Sequence, residues 1–258
     1  MRLLDAPDPS RGWHGVVRPG GRPLRLAIYG DCSWRAMEAA HGTHTPPGYP
    51  RVMAERLAAD GPGLEVGFGI FGKYEELPQD EPALVRHLKL TGAPDGVVVQ
   101  LGAIYGLRRV LPDGNALDTF RGAVARALGP LAIPVSRVMR PVGQRVGTPV
   151  TSYAGTAPLE AFLNLAQATW PGARVAVMPP FPRHIASPAV RAVESRVHDE
   201  QLAASARAGV AFLDCGPALL AARERTTGAN GYNLNDAGSR IVAERLLPWL
   251  GAADGAEL

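Results

Sequence analysis

One thiol stands where the chain could do chemistry. After the apolar run at 24–29, Gly30-Asp31-Cys32-Ser33 leads into Trp34-Arg35-Ala36-Met37-Glu38-Ala39-Ala40, whose composition predicts a helix-like stretch. A residue at such a strand-to-helix turn lies at the carboxyl edge of a sheet, where open α/β folds bind ligands. A helix N-terminus at that point favours thiolate over thiol and so activates Cys32. Ser33 is the competing nucleophile, one residue on. The competing reading of Cys32 is a small buried hydrophobe, a common role for free cysteine. A cysteine needs less help from a base than a serine does, because a usable fraction is ionised near neutral pH.

His41 and His44, in Ala40-His41-Gly42-Thr43-His44, and His184, in Pro182-Arg183-His184-Ile185, are candidate bases, with an ordinary surface role competing at each. Two histidines three residues apart also raise the question of metal binding. No accompanying acidic or cysteine ligand set stands near them, so neither metal nor cofactor is expected. Arg35, Arg183 and the arginines Arg137, Arg140 and Arg145 could gather about a carboxylate, phosphate or sulfate.

The elements that must position these groups follow from hydrophobic pattern. Short apolar runs at 24–29, 64–68, 96–101, 174–178 and 210–213 alternate with helical patterns at 51–59, 117–128, 159–169, 188–207 and 236–247. That alternation marks βαβ units and a mainly parallel sheet. In the last helix Val242, Leu246 and Leu250 recur at helical spacing and make an apolar stripe, with Asn235 placed to cap its start. The segment 129–158 is rich in Pro and Gly and interrupts an expected crossover. It reads equally as a lid over the pocket or as a solvated excursion.

Size and composition fit this plan. A chain of 258 residues, with 46% hydrophobic and 20% charged residues, suits one packed α/β domain. Residues 24–250 form that domain, with 1–23 as an N-terminal extension and 251–258 as a C-terminal tail. The formal charge of +3 comes from arginines spread along the chain, Lys73 and Lys89 being the only lysines. Without a basic block or basic-aromatic interleaving, nucleic-acid binding is not expected. No apolar run approaches the length of a membrane span, and no secretory leader is evident, so a cytoplasmic protein is expected. Cys32 and Cys215 do not make a disulfide framework.

Several blocks, in order, resemble the SGNH (GDSL-type) hydrolases. Ile28-Tyr29-Gly30-Asp31-Cys32-Ser33 looks like the opening GDS motif, with Cys32 in the nucleophile position; that place in the motif favours a pocket-facing thiol. Gly69-Ile70-Phe71-Gly72 resembles the block that supplies an oxyanion-hole glycine, here Gly72. Gln100-Leu101-Gly102-Ala103-Ile104-Tyr105 stands at the GxND block, with Ile104 where an Asn donor belongs and Tyr105 beside it. Asn230-Gly231-Tyr232-Asn233-Leu234-Asn235-Asp236-Ala237-Gly238 has the frame of the last block, with Asn230 at the Asp position and Asn233 at the His position. The resemblance covers roughly 24–250, with 129–158 unmatched. It implies a three-layer α/β/α sandwich on a five-stranded parallel sheet, of flavodoxin-like order, and ester or acyl hydrolysis.

The departures alter what that site could do. An amide has no usable basicity, so Asn230 and Asn233 cannot accept a proton. Loss of one oxyanion donor typically costs a factor of about 100 to 1,000 in rate. The leading expectation is therefore an enzyme with a remodelled site, acting on an ester or thioester of a small molecule. Cys32 is its nucleophile and His41 or His44 its base. Asp31, Ser33, Arg35, Gly72, Tyr105, His184, Asn230 and Asn233 line the pocket. Two alternatives stand beside it: a non-hydrolytic biosynthetic enzyme promoting elimination, cyclisation or group transfer on an anionic small molecule, and an inactive domain used for binding.

Overall fold

The structure, a computed structural model, describes residues 23–30, 36–37, 44–45, 48–60, 63–71, 73–86, 88, 90–101, 109–110, 148–149, 155–182, 188–227 and 233–251. Nine strands occur among them: β1 (Leu24–Gly30), β2 (Ala36–Met37), β3 (His44–Thr45), β4 (Leu64–Ile70), β5 (Gly96–Gln100), β6 (Arg109–Val110), β7 (Thr148–Pro149), β8 (Arg174–Val177) and β9 (Ala211–Phe212). The α-helices are α1 (Gly48–Asp60), α2 (Glu81–Arg86), α3 (Ala157–Thr169), α4 (Pro188–Ala208), α5 (Gly216–Ala221) and α6 (Asp236–Gly251). A short 3₁₀ turn spans Tyr74–Glu76.

Five strands form one sheet in the order β4-β1-β5-β8-β9, every pairing parallel. The three inner strands carry unbroken apolar runs because both faces of a parallel sheet are covered. Alternate residues divide between two cores. Leu26, Ile28, Val98, Ala176 and Met178 face Tyr49 and Met53 of α1 and Val242, Leu246 and Trp249 of α6. Ala27, Tyr29, Val97, Val99 and Val177 face Leu159, Phe162 and Ala166 of α3 and Val193 and Val197 of α4. Tyr29 is buried in that second core and gives its hydroxyl to the Leu84 carbonyl at 2.6 Å; burial alone drives its pKa far above the usual tyrosine value.

A polar network fastens the amino edge of the sheet. The Arg25 guanidinium meets Glu65 at 3.1 Å, and Glu65 accepts from the Thr91 backbone N–H and hydroxyl, both at 2.7 Å. The Arg25 backbone N–H donates to the Asp95 carboxylate at 2.8 Å, while Asp95 N–H donates to the Arg25 carbonyl at 2.8 Å. Arg174, which opens β8, gives a guanidinium hydrogen bond to the Trp249 carbonyl at 2.6 Å. That contact satisfies a carbonyl in the last turn of α6 with a cation, where the helix dipole favours one.

All five expected strands of the sheet are present, with ends that differ by no more than two residues from the sequence reading. The expected helices at 51–59, 159–169, 188–207 and 236–247 appear as α1, α3, α4 and α6, each longer than read; α6 extends through Gly251. The helix expected at 117–128 lies outside the described residues. One local expectation is wrong. Ala36–Met37, inside the stretch read as helix-like from 34 to 40, is a strand paired antiparallel with His44–Thr45. Strand pairing overrides the helix preference of Ala36 and Met37, as tertiary context commonly does. A second antiparallel pair joins Arg109–Val110 to Thr148–Pro149.

Candidate functional site

The sheet order fixes where a ligand should sit. From β1 the chain moves to β4 on one side, then crosses to β5 on the other, so the strand order reverses between β1 and β5. Open α/β sheets bind ligands in the crevice outside the carboxyl ends at such a reversal. Gly30 and Gln100 are the register partners that end β1 and β5 there. Residues 31–33 and 102–105, which carry much of the expected chemistry, follow directly from them in the chain. The position of the crevice depends on topology alone.

The two strand ends approach closely. A Cβ at Gly30 would stand 2.8 Å from the Gln100 carbonyl oxygen and 3.5 Å from the Gln100 Cβ, so only glycine leaves room for that backbone and side chain. The Gly30 carbonyl accepts from the Phe71 N–H at 2.9 Å, which ties the exit of β4 to the exit of β1. Gln100 is fully buried on the α1–α6 side. The buried Tyr49 hydroxyl of α1 donates to its Oε1 at 3.2 Å, and the Tyr49 ring packs edge-on against Phe181, 6.3 Å between centroids. On the opposite side of the sheet, Gln201 of α4 donates through Nε2 to the Leu101 carbonyl and to the Tyr74 hydroxyl, each at 2.7 Å. The exit of β5 is thus gripped from both layers.

The entry to α6 is held as firmly. Thr227 and Leu234 form an isolated antiparallel bridge just ahead of the helix. Asn235 accepts from the Gly238 N–H at 3.0 Å, donates its amide to the Arg225 carbonyl at 2.6 Å and its backbone N–H to the Thr226 carbonyl at 3.1 Å. It is the N-cap that the sequence indicated. Gly238 packs so tightly on the Thr226 carbonyl that any Cβ there would collide with it. Asn233, which the sequence resemblance sets against a histidine, is fully buried just before this cap.

The expected site residues Asp31, Cys32, Ser33, Arg35, His41, Gly72, Tyr105, His184 and Asn230 lie outside the described residues, as do Arg137, Arg140, Arg145 and Arg183. His44 is described in its backbone, which pairs with Met37 and so lies beside the segment that follows Cys32. Because Ala36–Met37 is strand, the activation of Cys32 by a helix beginning at 34 loses its basis. Cys215, read as a core or strand-end residue, is buried, and burial, with the Asp214 charge adding to it, pushes its thiol up to about 12. Among the described residues no group of His, Cys, Asp and Glu is arranged to hold a metal ion.

Sequence reasoning passed over three groups. Gln100 and Tyr49 are two; a lone polar residue closing a run of three valines was the available signal. The third is His198 of α4, whose Nε2 and Nδ1 stand 3.2 Å from Asp214 and 3.2 Å from Asp199. Its ring lies edge-on to Phe212, 5.1 Å between centroids. Burial pulls its pKa down, but hydrogen bonds and charge from both carboxylates more than offset this, and the net shift is upward. Asp214 follows β9, three strands from β1 and so about 14 Å across the sheet. That distance keeps the pair out of proton transfer at the reversal point. The groove between α1 and α6, lined by Arg51, Glu55, Arg56, Asp236 and Arg240, neutralises its own charge through Arg51–Glu55, Arg51–Asp236 and Arg56–Glu244 pairs.

Comparison with solved structures agrees with this topology. A carbohydrate esterase family 2 enzyme with a carbohydrate binding domain, from Corynascus thermopiles (Myceliophthora fergusii), superposes with a TM-score of 0.57 at 16% identity, over 92% of this chain and 68% of that one. A lipase/acylhydrolase from Enterococcus faecalis gives 0.54 at 14% identity, over 91% and 100% of the two chains. A variant of an acetyl xylan esterase from Geobacillus stearothermophilus gives 0.53 at 14% identity, over 92% and 99%. Neither a protein-family model nor a curated protein matches the sequence. The chain has the α/β/α fold of the SGNH hydrolases, on a five-stranded parallel sheet. Among the described residues no helix is long and apolar enough to cross a membrane.

Proposed function

We propose that this chain is an SGNH-fold enzyme with a remodelled active site, which transfers or hydrolyses the acyl group of an ester or thioester through Cys32. The observation that supports this reading is the strand reversal at Gly30 and Gln100, because β1 ends there at the edge where open α/β sheets bind ligands, and Asp31 and Cys32 follow Gly30 in the sequence. The fold shared with esterases and an acylhydrolase supports the reaction class.

In this scheme the Cys32 thiolate attacks the carbonyl carbon, a C–S bond forms, and the carbonyl electron pair moves onto oxygen. Backbone N–H groups of Cys32 and Gly72 stabilise that oxyanion. On collapse, the bond to the leaving alkoxide or thiolate breaks, and His41 or His44 returns the proton it took from the thiol. Water, or an acceptor hydroxyl, then attacks the acyl-thioester and gives its proton to the same histidine, which releases product and restores Cys32. Asn230 and Asn233 hydrogen-bond and orient the substrate without exchanging protons. Asp31, Ser33, Arg35, Tyr105 and His184 complete the pocket.

The test is intact mass spectrometry of the full chain after mixing with 4-nitrophenyl acetate. An adduct of acetyl mass that maps to Cys32 is expected, together with loss of turnover by about a thousandfold or more in Cys32→Ala. Undiminished turnover in Cys32→Ala overturns the proposal. Acetylation of Cys215 does not compete, since its thiol is buried and pushed up to about 12.

A further inference from the structure

Gln100 is a group whose hydrogen bonding is half complete. Its side chain is fully buried, and Tyr49 donates to Oε1, yet Nε2 has no partner among the described residues. Turning the amide over only exchanges which end is left, because the Tyr49 hydroxyl can satisfy one end alone in either orientation. Leaving a buried donor unmet destabilises a fold, so each such group calls for an explanation, and a ligand is one. The position makes a ligand the strongest one here. Gln100 ends β5 at the strand reversal, opposite Gly30, where an added Cβ would meet the Gln100 carbonyl oxygen and Cβ. Tyr49 is in turn fixed by Phe181, so the amide is oriented before anything binds.

We infer that Gln100 reads the substrate: its Nε2–H donates to an oxygen acceptor on the part of the ligand that reaches deepest into the crevice, and Tyr49 is the positioning residue that aims it. An oxygen-bearing acyl group, with an ether, hydroxyl or carbonyl oxygen beyond the reacting carbonyl, fits such a donor, and a plain alkyl chain does not. A site built to hydrogen-bond a substrate oxygen rejects the analogue that lacks it, since its own buried group is then left unmet. The choice of acyl group rests on the acyl-transfer reading above; the presence of an oxygen-reading donor at Gln100 does not.

Two probes of nearly equal shape separate these possibilities: 4-nitrophenyl methoxyacetate and 4-nitrophenyl butyrate, which differ by an ether oxygen in place of a methylene. The quantity read is the ratio of their kcat/KM values, because the intrinsic reactivity of each ester cancels between enzyme variants. Gln100→Met is expected to lower the methoxyacetyl-to-butyryl ratio roughly tenfold relative to the natural chain, mainly through KM. Tyr49→Phe should move it the same way by less. Thermal unfolding supplies a second readout. If the amide were only structural, Gln100→Met would lower Tm; a ligand-reading amide left unmet in the free protein predicts an equal or higher Tm. The same two proteins are also melted with sodium methoxyacetate and with sodium butyrate. Should neither ester turn over while methoxyacetate alone stabilises the natural chain, and not Gln100→Met, the esterase reading falls and the Gln100 inference stands. An unchanged ratio in folded Gln100→Met overturns the inference. So does a lowered Tm, and so, in the absence of turnover, does equal stabilisation by both anions or by neither.

Discussion

The His198 pKa lies above its ordinary value: burial lowers it, but Asp199 and Asp214, one at each ring nitrogen, more than offset that. The sign of the consequence follows from linkage. A folded-state pKa above the ordinary value of 6.5 gives stability that is present in full below that value and is lost as pH rises through the higher folded value. The gap in Tm between the natural chain and His198→Gln should therefore be widest below about pH 6 and narrow as pH rises past the ordinary histidine range. A gap that widens with pH would refute the assignment. His198 also shows what residue patterns conceal. His198-Asp199 are neighbours in sequence, but the contact with Asp214 depends on α4 crossing β9. Likewise, the Tyr49–Gln100 pair spans two elements, and nothing at either position announces the other. Asn235 was legible as a cap because its partners, at 225, 226 and 238, are near in the chain.

Element boundaries were readable where a run of residues repeats one environment. Val97, Val98 and Val99 are buried on both faces, and the stripe of Val242, Leu246 and Leu250 docks on the sheet. The six-residue helices α2 and α5 offer less than two turns each, too short for a period to show. Ala36–Met37 misled because both residues favour helix while their pairing partner, His44–Thr45, imposes strand. The start of α6 allows a test in which two effects have opposite sign. Gly238→Ala should gain about 1 kcal/mol from helix propensity. The new methyl group meets the Thr226 carbonyl, which already accepts from the Asn235 N–H and cannot easily yield. Overpacking costs about 1–3 kcal/mol, so a net loss of about 1 kcal/mol is expected, measured as a lower urea midpoint at unchanged slope.

For the molecule as a whole, Cys215 is a ready reporter of opening. It belongs to the core shared by α1, α6 and the sheet, and a thiol pushed up to about 12 is almost wholly protonated at pH 8. In Cys32→Ala it is the single remaining cysteine. Ellman's reagent should then report no reaction under native conditions and full reaction in denaturant, with the transition coinciding with loss of Trp fluorescence. Rapid native labelling would place Cys215 in a locally open region instead.

The two rims of the sheet divide their duties. At the amino rim, Arg25, Glu65, Thr91 and Asp95 form a clasp of matched charges and donors that joins β1, β4 and the approach to β5. Exchanges among groups at the opposite rim leave that clasp untouched. Substitutions at that opposite rim can therefore accumulate without forfeiting the architecture, and each can be a single, non-lethal step.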